Sequence, residues 1–400
     1  TLDLRSGRLE NAGGLIQSQG RLYIDTGEQA LVNLDDGSGK GIISQGALKI
    51  HSAHLSNAGG YISAKGEMQL LATDVTNAGG RIVGADSVQV QGLRLNNQAG
   101  QIQALGAIDV ASAERVDNQG GLIRSAGLLH VSTGTLANNA TQADNQGLQG
   151  HALRLESDVL GNQAGVIRAD TTLDIGVSQL LDNAGGLISS SQHLNITDRD
   201  PAARRQSISN LDGRLLAGQS LSLNAAYYSG NGQAVSLGDL TLRLLAGLEL
   251  SGLLQANGTL DVQTGGALNN SGKLLAGRSM LLDASTLDNR AEGEISADQV
   301  RITAHQSLTN RGLIDGQKVR LQTGVLYNLG TGRIYGDQLG IAAGTLVNAN
   351  EGDRSGAIAA RARLDIGATQ IDNSEAALIF SAGDMAIGAT LDDADHASGR

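Results

Sequence analysis

The residues of this chain that could do chemistry mostly lack the partners that chemistry needs. His51 and His54 stand three apart, a spacing that can serve a metal when a third ligand is near. None is near, and both flank an alternating outer surface, so they read as a solvated corner. The run Asp35-Asp36-Gly37-Ser38-Gly39-Lys40-Gly41 invites two readings, a calcium loop and a phosphate loop. It lacks the Asp-x-Asp-x-Asp spacing of the first, and Lys40 is followed by Gly, where a phosphate loop would place Ser or Thr for magnesium. The calcium-binding nonapeptide repeat is also absent. Tyr227-Tyr228 could stack a sugar ring, although a structural role is the simpler reading. A polysaccharide-degrading enzyme would need acids and bases clustered on one strand. Asp109, Asp174, Asp261 and Asp365 share one outer position of a repeat but lie several repeats apart, each pair more than about 14 Å from the next at ~4.8 Å per repeat. They cannot work as a general acid/base pair, so the expectation is no enzyme, no cofactor and no metal.

The residues that do recur are asparagines, each two places after an apolar residue, with Ser229 before Asn231 the one polar exception. They form a series: Asn11, Asn33, Asn57, Asn77, Asn97, Asn118, Asn138, Asn162, Asn183, Asn210, Asn231, then Leu250 in place of Asn, then Asn270, Asn289, Asn310, Asn328, Asn348 and Asn373. That makes 18 units of about 20 residues, a period that belongs to a solenoid. An identical amide at one corner of every turn can hydrogen-bond to the amides above and below, which satisfies a group that is costly to bury alone. The glycines that follow suit a corner needing positive φ or close backbone approach.

The elements that position this corner are strands. Every unit repeats an apolar pair around one mostly polar residue, as in Met68/Leu70, Val88/Val90 and Leu173/Ile175, and all 36 such positions are apolar. A period of two with one buried face is a strand, and no segment sustains helical spacing. Three short strands per unit cannot find partners inside their own unit, so each pairs in parallel with its equivalent in the next. The fold class expected is all-β: a right-handed parallel β-helix of about 18 coils, the hand following from the chirality of parallel crossovers.

Composition agrees with that fold. Four hundred residues would ordinarily suggest two or three domains, but the phase runs throughout, so residues 1–400 are expected to form one continuous repeat domain. Gly 56, Pro 1 and 2% aromatic residues suit Gly corners, paired strands without Pro, and a narrow interior. A net charge of −11 with the signs interspersed, and no basic stripe with aromatics, disfavours nucleic acid. There are no cysteines, no apolar stretch long enough to span a bilayer as a helix, and no signal-peptide pattern from Thr1. Both ends are in phase without an obvious capping coil, so the chain reads as a piece of something longer.

Three units are oversized at one place. From Asn33 to Ile43, Asn138 to Leu148 and Asn348 to Ile358 the distance is ten residues, against about five in the standard coil. All three inserts enter after the ladder Asn and are expected to project from one corner, offering Asp35, Asp36, Lys40, Asp144, Asn145, Glu351, Asp353 and Arg354 as candidate contacts. A fourth long corner, Thr197 to Gln206, carries Pro201 with Arg199, Arg204 and Arg205 and is expected to be exposed and unpaired. Loops held on a rigid scaffold are where binding is usually built.

The pattern Leu-x-Asn-x-Gly-Gly-x-Ile, clearest in Leu181-Asp182-Asn183-Ala184-Gly185-Gly186-Leu187-Ile188 and in Val75 to Val83, resembles the repeats of filamentous haemagglutinins. These are the large bacterial exoproteins of two-partner secretion, a group that includes contact-dependent growth-inhibition toxins. The resemblance covers nearly the whole chain. It implies a right-handed β-helical stalk on the bacterial surface, secreted through an outer-membrane transporter, that projects an adhesive or toxic tip toward a receptor on a target cell. The chain carries no Asn-Pro-Asn secretion motif, no Tyr/Pro-rich segment, no Val-Glu-Asn-Asn boundary and no toxin-like module, so the resemblance implies a fragment of the stalk. A receptor-binding surface on the β-helix itself is the alternative.

Overall fold

A computed structural model describes residues 1–35, 40–392 and 394–399. The described chain is all-β with no helix, and its strands pair in parallel to form a β-solenoid of about 19 turns. It divides into two compact units, Thr1–Ser209 and Asn210–Arg400. The turn beyond the 18 counted from asparagines comes from Leu2–Arg5, which stacks Leu2 on Leu22 and Leu4 on Ile24 ahead of the first ladder position.

In the first unit the alternating pair becomes two unbroken columns. One runs Met68, Val88, Ile108, Leu129, Leu153, Leu173, Leu194, and its neighbour runs Leu70, Val90, Val110, Val131, Leu155, Ile175, Ile196. A second wall stacks Ile62, Ile82, Ile102, Ile123, Leu148, Ile167 and Ile188. The third places Leu55, Val75, Leu95, Val116, Leu136, Leu160, Leu181 and Ile208 in the interior, and all these side chains are buried. Burying one such side chain contributes about 1.5–3 kcal/mol, and parallel register makes each coil a template for the next.

The second unit repeats the scheme through Leu240, Leu260, Met280, Val300, Val319, Leu339 and Leu364. Here the short strands fuse. Glu294–Asn310, Leu313–Leu329, Arg333–Glu351 and Ala357–Asn373 run through their corners, with register shifts such as that between Ala304 and Ser307. A bulge bends a strand without ending its pairing. Met385 and Ile387 depart from the pattern and are about half exposed, with no further coil over them among the described residues.

At the ladder corner of the first unit, the amide nitrogen of each Asn donates to the Oδ1 of the Asn one coil on. The series runs Asn11, Asn33, Asn57, Asn77, Asn97, Asn118, Asn138, Asn162, Asn183 at 2.7–2.8 Å. The second hydrogen reaches backbone carbonyls: Asn57 donates to the carbonyl of Gly60 at 3.2 Å and to that of Arg81 at 3.3 Å. Gly59 and Gly60 fill different needs. Gly59 has φ +64°, the left-handed region. A Cβ on Gly60 would lie 2.2 Å from the Asn33 carbonyl oxygen and 2.6 Å from Asn57 Oδ1, so the amide column occupies the space a side chain would need.

In the second unit the column runs Asn270, Asn289, Asn310, Asn328, Asn348, Asn373 at 2.7–2.9 Å. Before it stand two substitutes. Asn210 donates to the hydroxyl of Tyr228 at 3.1 Å, and Leu250, the next occupant, is buried carbon. Asn231, which the spacing places in the ladder, is exposed and exchanges hydrogen bonds with Asp212. Ser229 is likewise exposed, and Tyr228 is the buried residue of its strand, Tyr227–Ser229. The reason is size: a tyrosine ring fills the slot and still supplies an oxygen for Asn210. Burial pushes its hydroxyl up to about 12, so it stays a neutral partner at physiological pH.

Replacing Asn118 by Asp removes the donor to Asn138 Oδ1 and to the Gly121 carbonyl and buries a charge between amides. The expected loss is about 2–4 kcal/mol, read as a lower urea midpoint at neutral pH. An unchanged midpoint would mean that the amide column bears no stability.

Candidate functional site

The surface that could meet a partner is the ladder corner with its inserts, and the inserts do not simply project. In the second insert Thr141 is buried; its hydroxyl donates to the Asn138 carbonyl and accepts from the backbone of Val166. Gln142 then reaches forward two coils to the Gly185 carbonyl at 2.8 Å. Asp144 and Asn145 stay exposed, Asn145 with φ +59°. The third insert is a hairpin in which Asn350 pairs with Ser355 and Glu351 with Arg354 around Gly352. It folds back over Gly330, so that Glu351 accepts from Arg311 Nε and Nη2 at 2.6 and 2.9 Å. Asp353 and Arg354 remain exposed at its tip. In the first insert Asp35 is half-buried and Lys40 exposed; Asp36 lies outside the described residues.

The Thr197–Gln206 corner is tied down, contrary to the expectation of an unpaired loop. Asp198 is 4% exposed, and its carboxylate accepts the backbone N–H groups of Asp200, Arg205 and Gln206 at 2.8, 2.6 and 3.3 Å. Arg199 crosses Gly176 to reach Asp158 at 3.3 Å. Arg204 is half-buried with φ +38°, and Arg205 is exposed. A carboxylate taking three N–H bonds makes a compact capped turn, which the sequence signalled only by an Asp at the start of the insert.

The remaining candidates are kept apart. His51 pairs with Asp25 and His54 with Asp74, on different coils. Asp25 is pulled down to about 2, first by the Gly27 N–H and then by His51 and Tyr23. Tyr227 is exposed while Tyr228 is buried, so the two rings form no joint platform. The four acids of the outer row have separate partners: His130 for Asp109, Asn195 for Asp174, Arg243 for Asp261 and Arg363 for Asp365. Asp365 is not on an open face. The terminal hairpin of Thr390–Leu391 and Ala397–Ser398 covers it, with Ala397 N–H donating to its Oδ1 at 3.0 Å and Asp395 held by Lys318 and Arg320. Gly340 leaves the room; a Cβ there would meet Leu391 and Asp395.

Along the corner of the second unit the charges alternate Glu249, Arg290, Asp288, Arg311, Glu351, with separations of 3.0, 3.6, 3.6 and 2.6 Å. Each exposed pair is worth little, but the chain of pairs fixes where the third insert lies. Asp288 and Arg290 are two residues apart in the chain, and the other partners lie one or two periods apart.

Asp198→Ala should speed tryptic cleavage at Arg199, Arg204 and Arg205 several-fold; an unchanged rate would mean the carboxylate does not hold the turn. The Arg311 hydrogen bonds hold the Glu351 carboxyl below its ordinary range. A lowered pKa means the contact is fully present at neutral pH and is lost as pH falls through that value, so hydrogen-exchange protection of the hairpin should drop in acid and should not drop in Glu351→Gln, which starts without the ion pair.

The haemagglutinin repeat family matches residues 1–31, 17–92, 69–152, 131–200 and 202–247, and the BigA fourth domain matches residues 251–398. Among curated relatives, the deoxyribonuclease CdiA of Dickeya dadantii is 28% identical over 300 residues, 70% of this chain and 8% of that protein. The tRNA nuclease CdiA of Yersinia mollaretii is 27% identical over 228 residues, 48% of this chain and 8% of the relative. A tRNA nuclease CdiA of Escherichia coli is 43% identical over 75 residues, 19% of this chain and 2% of the relative. The chain thus spans under a tenth of the length of these relatives. No solved structure matches it significantly. With the repeat matched over more than half its length and its coils stacked in parallel, the chain belongs to the haemagglutinin repeat family, of the filamentous haemagglutinin type found in two-partner-secretion exoproteins.

Proposed function

We propose that this chain is a stalk segment of a secreted bacterial surface exoprotein, exported through an outer-membrane transporter, that holds an adhesive or toxic tip away from the cell. The observation that supports it most is the near-identity of successive coils: each is paired along its length to the next, and the acids of the outer row are spent on local pairs. The nuclease activities named for the relatives are theirs, and the matched stretch is 8% or less of each. A spacer needs bending stiffness and insensitivity to the residues on its faces, which a continuous ladder of backbone hydrogen bonds supplies.

A second reading has its own support. The second and third inserts are folded along the ladder corner, through Gln142 to Gly185 and through Glu351 to Arg311, so the corner presents shaped loops where a bare spacer needs none. In this reading each insert is a contact of its own for a receptor on a target cell, through Asp144 and Asn145 in the first unit and through Asp353 and Arg354 in the second. Trimming all three inserts to the standard coil should leave melting nearly unchanged, because loop entropy varies slowly with length, and should weaken attachment of exoprotein-bearing cells. Attachment that survives the triple trimming leaves the spacer role alone.

A further inference from the structure

Gly388 is the last residue of its strand to pair with the coil beneath. Past it the described chain leaves the coil path and turns back as the hairpin of Thr390–Leu391 and Ala397–Ser398, laid on the outer face of the second unit. That face is shaped to receive it. Along one outward column the residues shrink from Thr303 and Gln322 to Ala342, Gly367 and Gly388, and along its neighbour from Arg301 and Arg320 to Gly340. A Cβ on Gly367 would collide with the Thr390 carbonyl and the Leu391 nitrogen. One on Gly388 would meet the Ser398 carbonyl oxygen at 2.5 Å, and one on Gly340 would touch Leu391 at 3.3 Å and Asp395 at 3.4 Å. None of the three has a positive φ, so the coil itself does not require glycine at these positions. The hairpin does.

Charge fastens it. Asp395 sits between Lys318, at 2.9 Å, and Arg320, whose side chain is left 12% exposed. Asp365, held by Arg363, accepts the Ala397 N–H at 3.0 Å. Leu391 is the one large apolar side chain the hairpin brings, and it stays half-buried. Among the described residues the other charged or titratable groups around these two carboxylates are His396 beside Asp365, Asp392, whose backbone carbonyl accepts from Arg320 at 3.3 Å, and Asp384, 4.0 Å from Arg363. Protonating Asp395 would give up its attraction to two cations, and protonating Asp365 would weaken it as an acceptor. Burial pushes the Asp365 carboxyl up, but Arg363, the Ala397 N–H and His396 outweigh burial and hold it below its ordinary range. A carboxyl lowered by docking contributes fully at neutral pH, and its contribution is lost as pH falls through the lowered value. His396 gains charge in acid, which favours docking only while Asp365 stays ionised.

We propose that this hairpin is an acid-releasable strap: Asp365 and Asp395 hold it over a cationic stretch of the outer face at neutral pH, and its release in acid uncovers Lys318, Arg320 and Arg363. The switch goes beyond a spacer or a contact corner, since it changes the charge that one face of the solenoid presents.

The test follows amide hydrogen exchange of the full chain from neutral to acid pH, expressed as protection relative to the unstructured rate at each pH. Protection of the hairpin should fall several-fold in acid while that of Leu313–Leu329 holds. Gly367→Gln is the informative variant, because Gln322 occupies the same column two coils earlier and the coil accepts a long side chain there. It should free the hairpin at neutral pH with a nearly unchanged melting curve, and phenylglyoxal should then modify Arg320 several-fold faster than in the natural chain. Asp395→Asn should lower hairpin protection at neutral pH and shrink its acid response. Asp384→Asn, which removes an 86% exposed carboxylate outside the strap, should leave the response as it was. Hairpin protection that does not change with pH, or that matches the natural chain in Gly367→Gln, overturns the proposal. An acid response undiminished in Asp395→Asn overturns it as well.

Discussion

A buried primary amide can be kept inside a protein only if both its hydrogens and its oxygen are met. In this solenoid the partner is the same residue of the next turn, and that single requirement propagates outward. The Asn33-to-Asn57 bond at 2.7 Å fixes where the corner of one coil sits over the corner of the next. Gly60 must then lack a side chain, because the amide and the Asn33 carbonyl already occupy its space. With the corner fixed, Leu55, Ile62, Met68 and Leu70 fall onto Val75, Ile82, Val88 and Val90 of the following coil. The apolar columns stabilise the fold, and the amide column sets its register.

This explains why so much was legible from residue types alone. A constraint that repeats in space repeats in the chain, so period, strand phase and corner could all be read from Asn spacing and the alternating pairs. What escaped was whatever the period does not encode. Asn231 sits at an acceptable distance from Asn210, yet Tyr228 takes the slot, because ring size and a hydroxyl outweigh spacing. The Glu351–Arg311 pair joins residues two coils apart, and Asp365 is buried by a hairpin from the end of the described chain. The capped turn at Asp198 depended on three backbone N–H directions that no side-chain pattern reports.

The two family matches meet between residues 247 and 251, where Leu250 stands in the amide slot. The coils on either side keep the same apolar columns, Leu240 over Leu260 and Leu254 over Leu274. Two kinds of repeat can therefore be joined wherever their interiors agree, even where the corner chemistry changes. Carbon at Leu250 avoids an amide with no partner on one side, and Asn270 meets its own oxygen with the Gly272 N–H at 3.1 Å instead.

The amide column also has a direction. From Asn11 to Asn162 every nitrogen donates to the Asn of the later coil, and so does every nitrogen from Asn270 to Asn348. Amide dipoles, each of about 3.5 D in the backbone case, are thus added head to tail down the corner, and neighbouring bonds in such a chain strengthen one another by polarisation. Each column is a one-way electrical element with an oxygen end and an N–H end, which a coil inserted upside down could not join. At Tyr228 the relay within the second unit passes to a hydroxyl and then to the hydrocarbon of Leu250, so polarisation built up on one side is not handed to the other, and the column beginning at Asn270 starts again from zero.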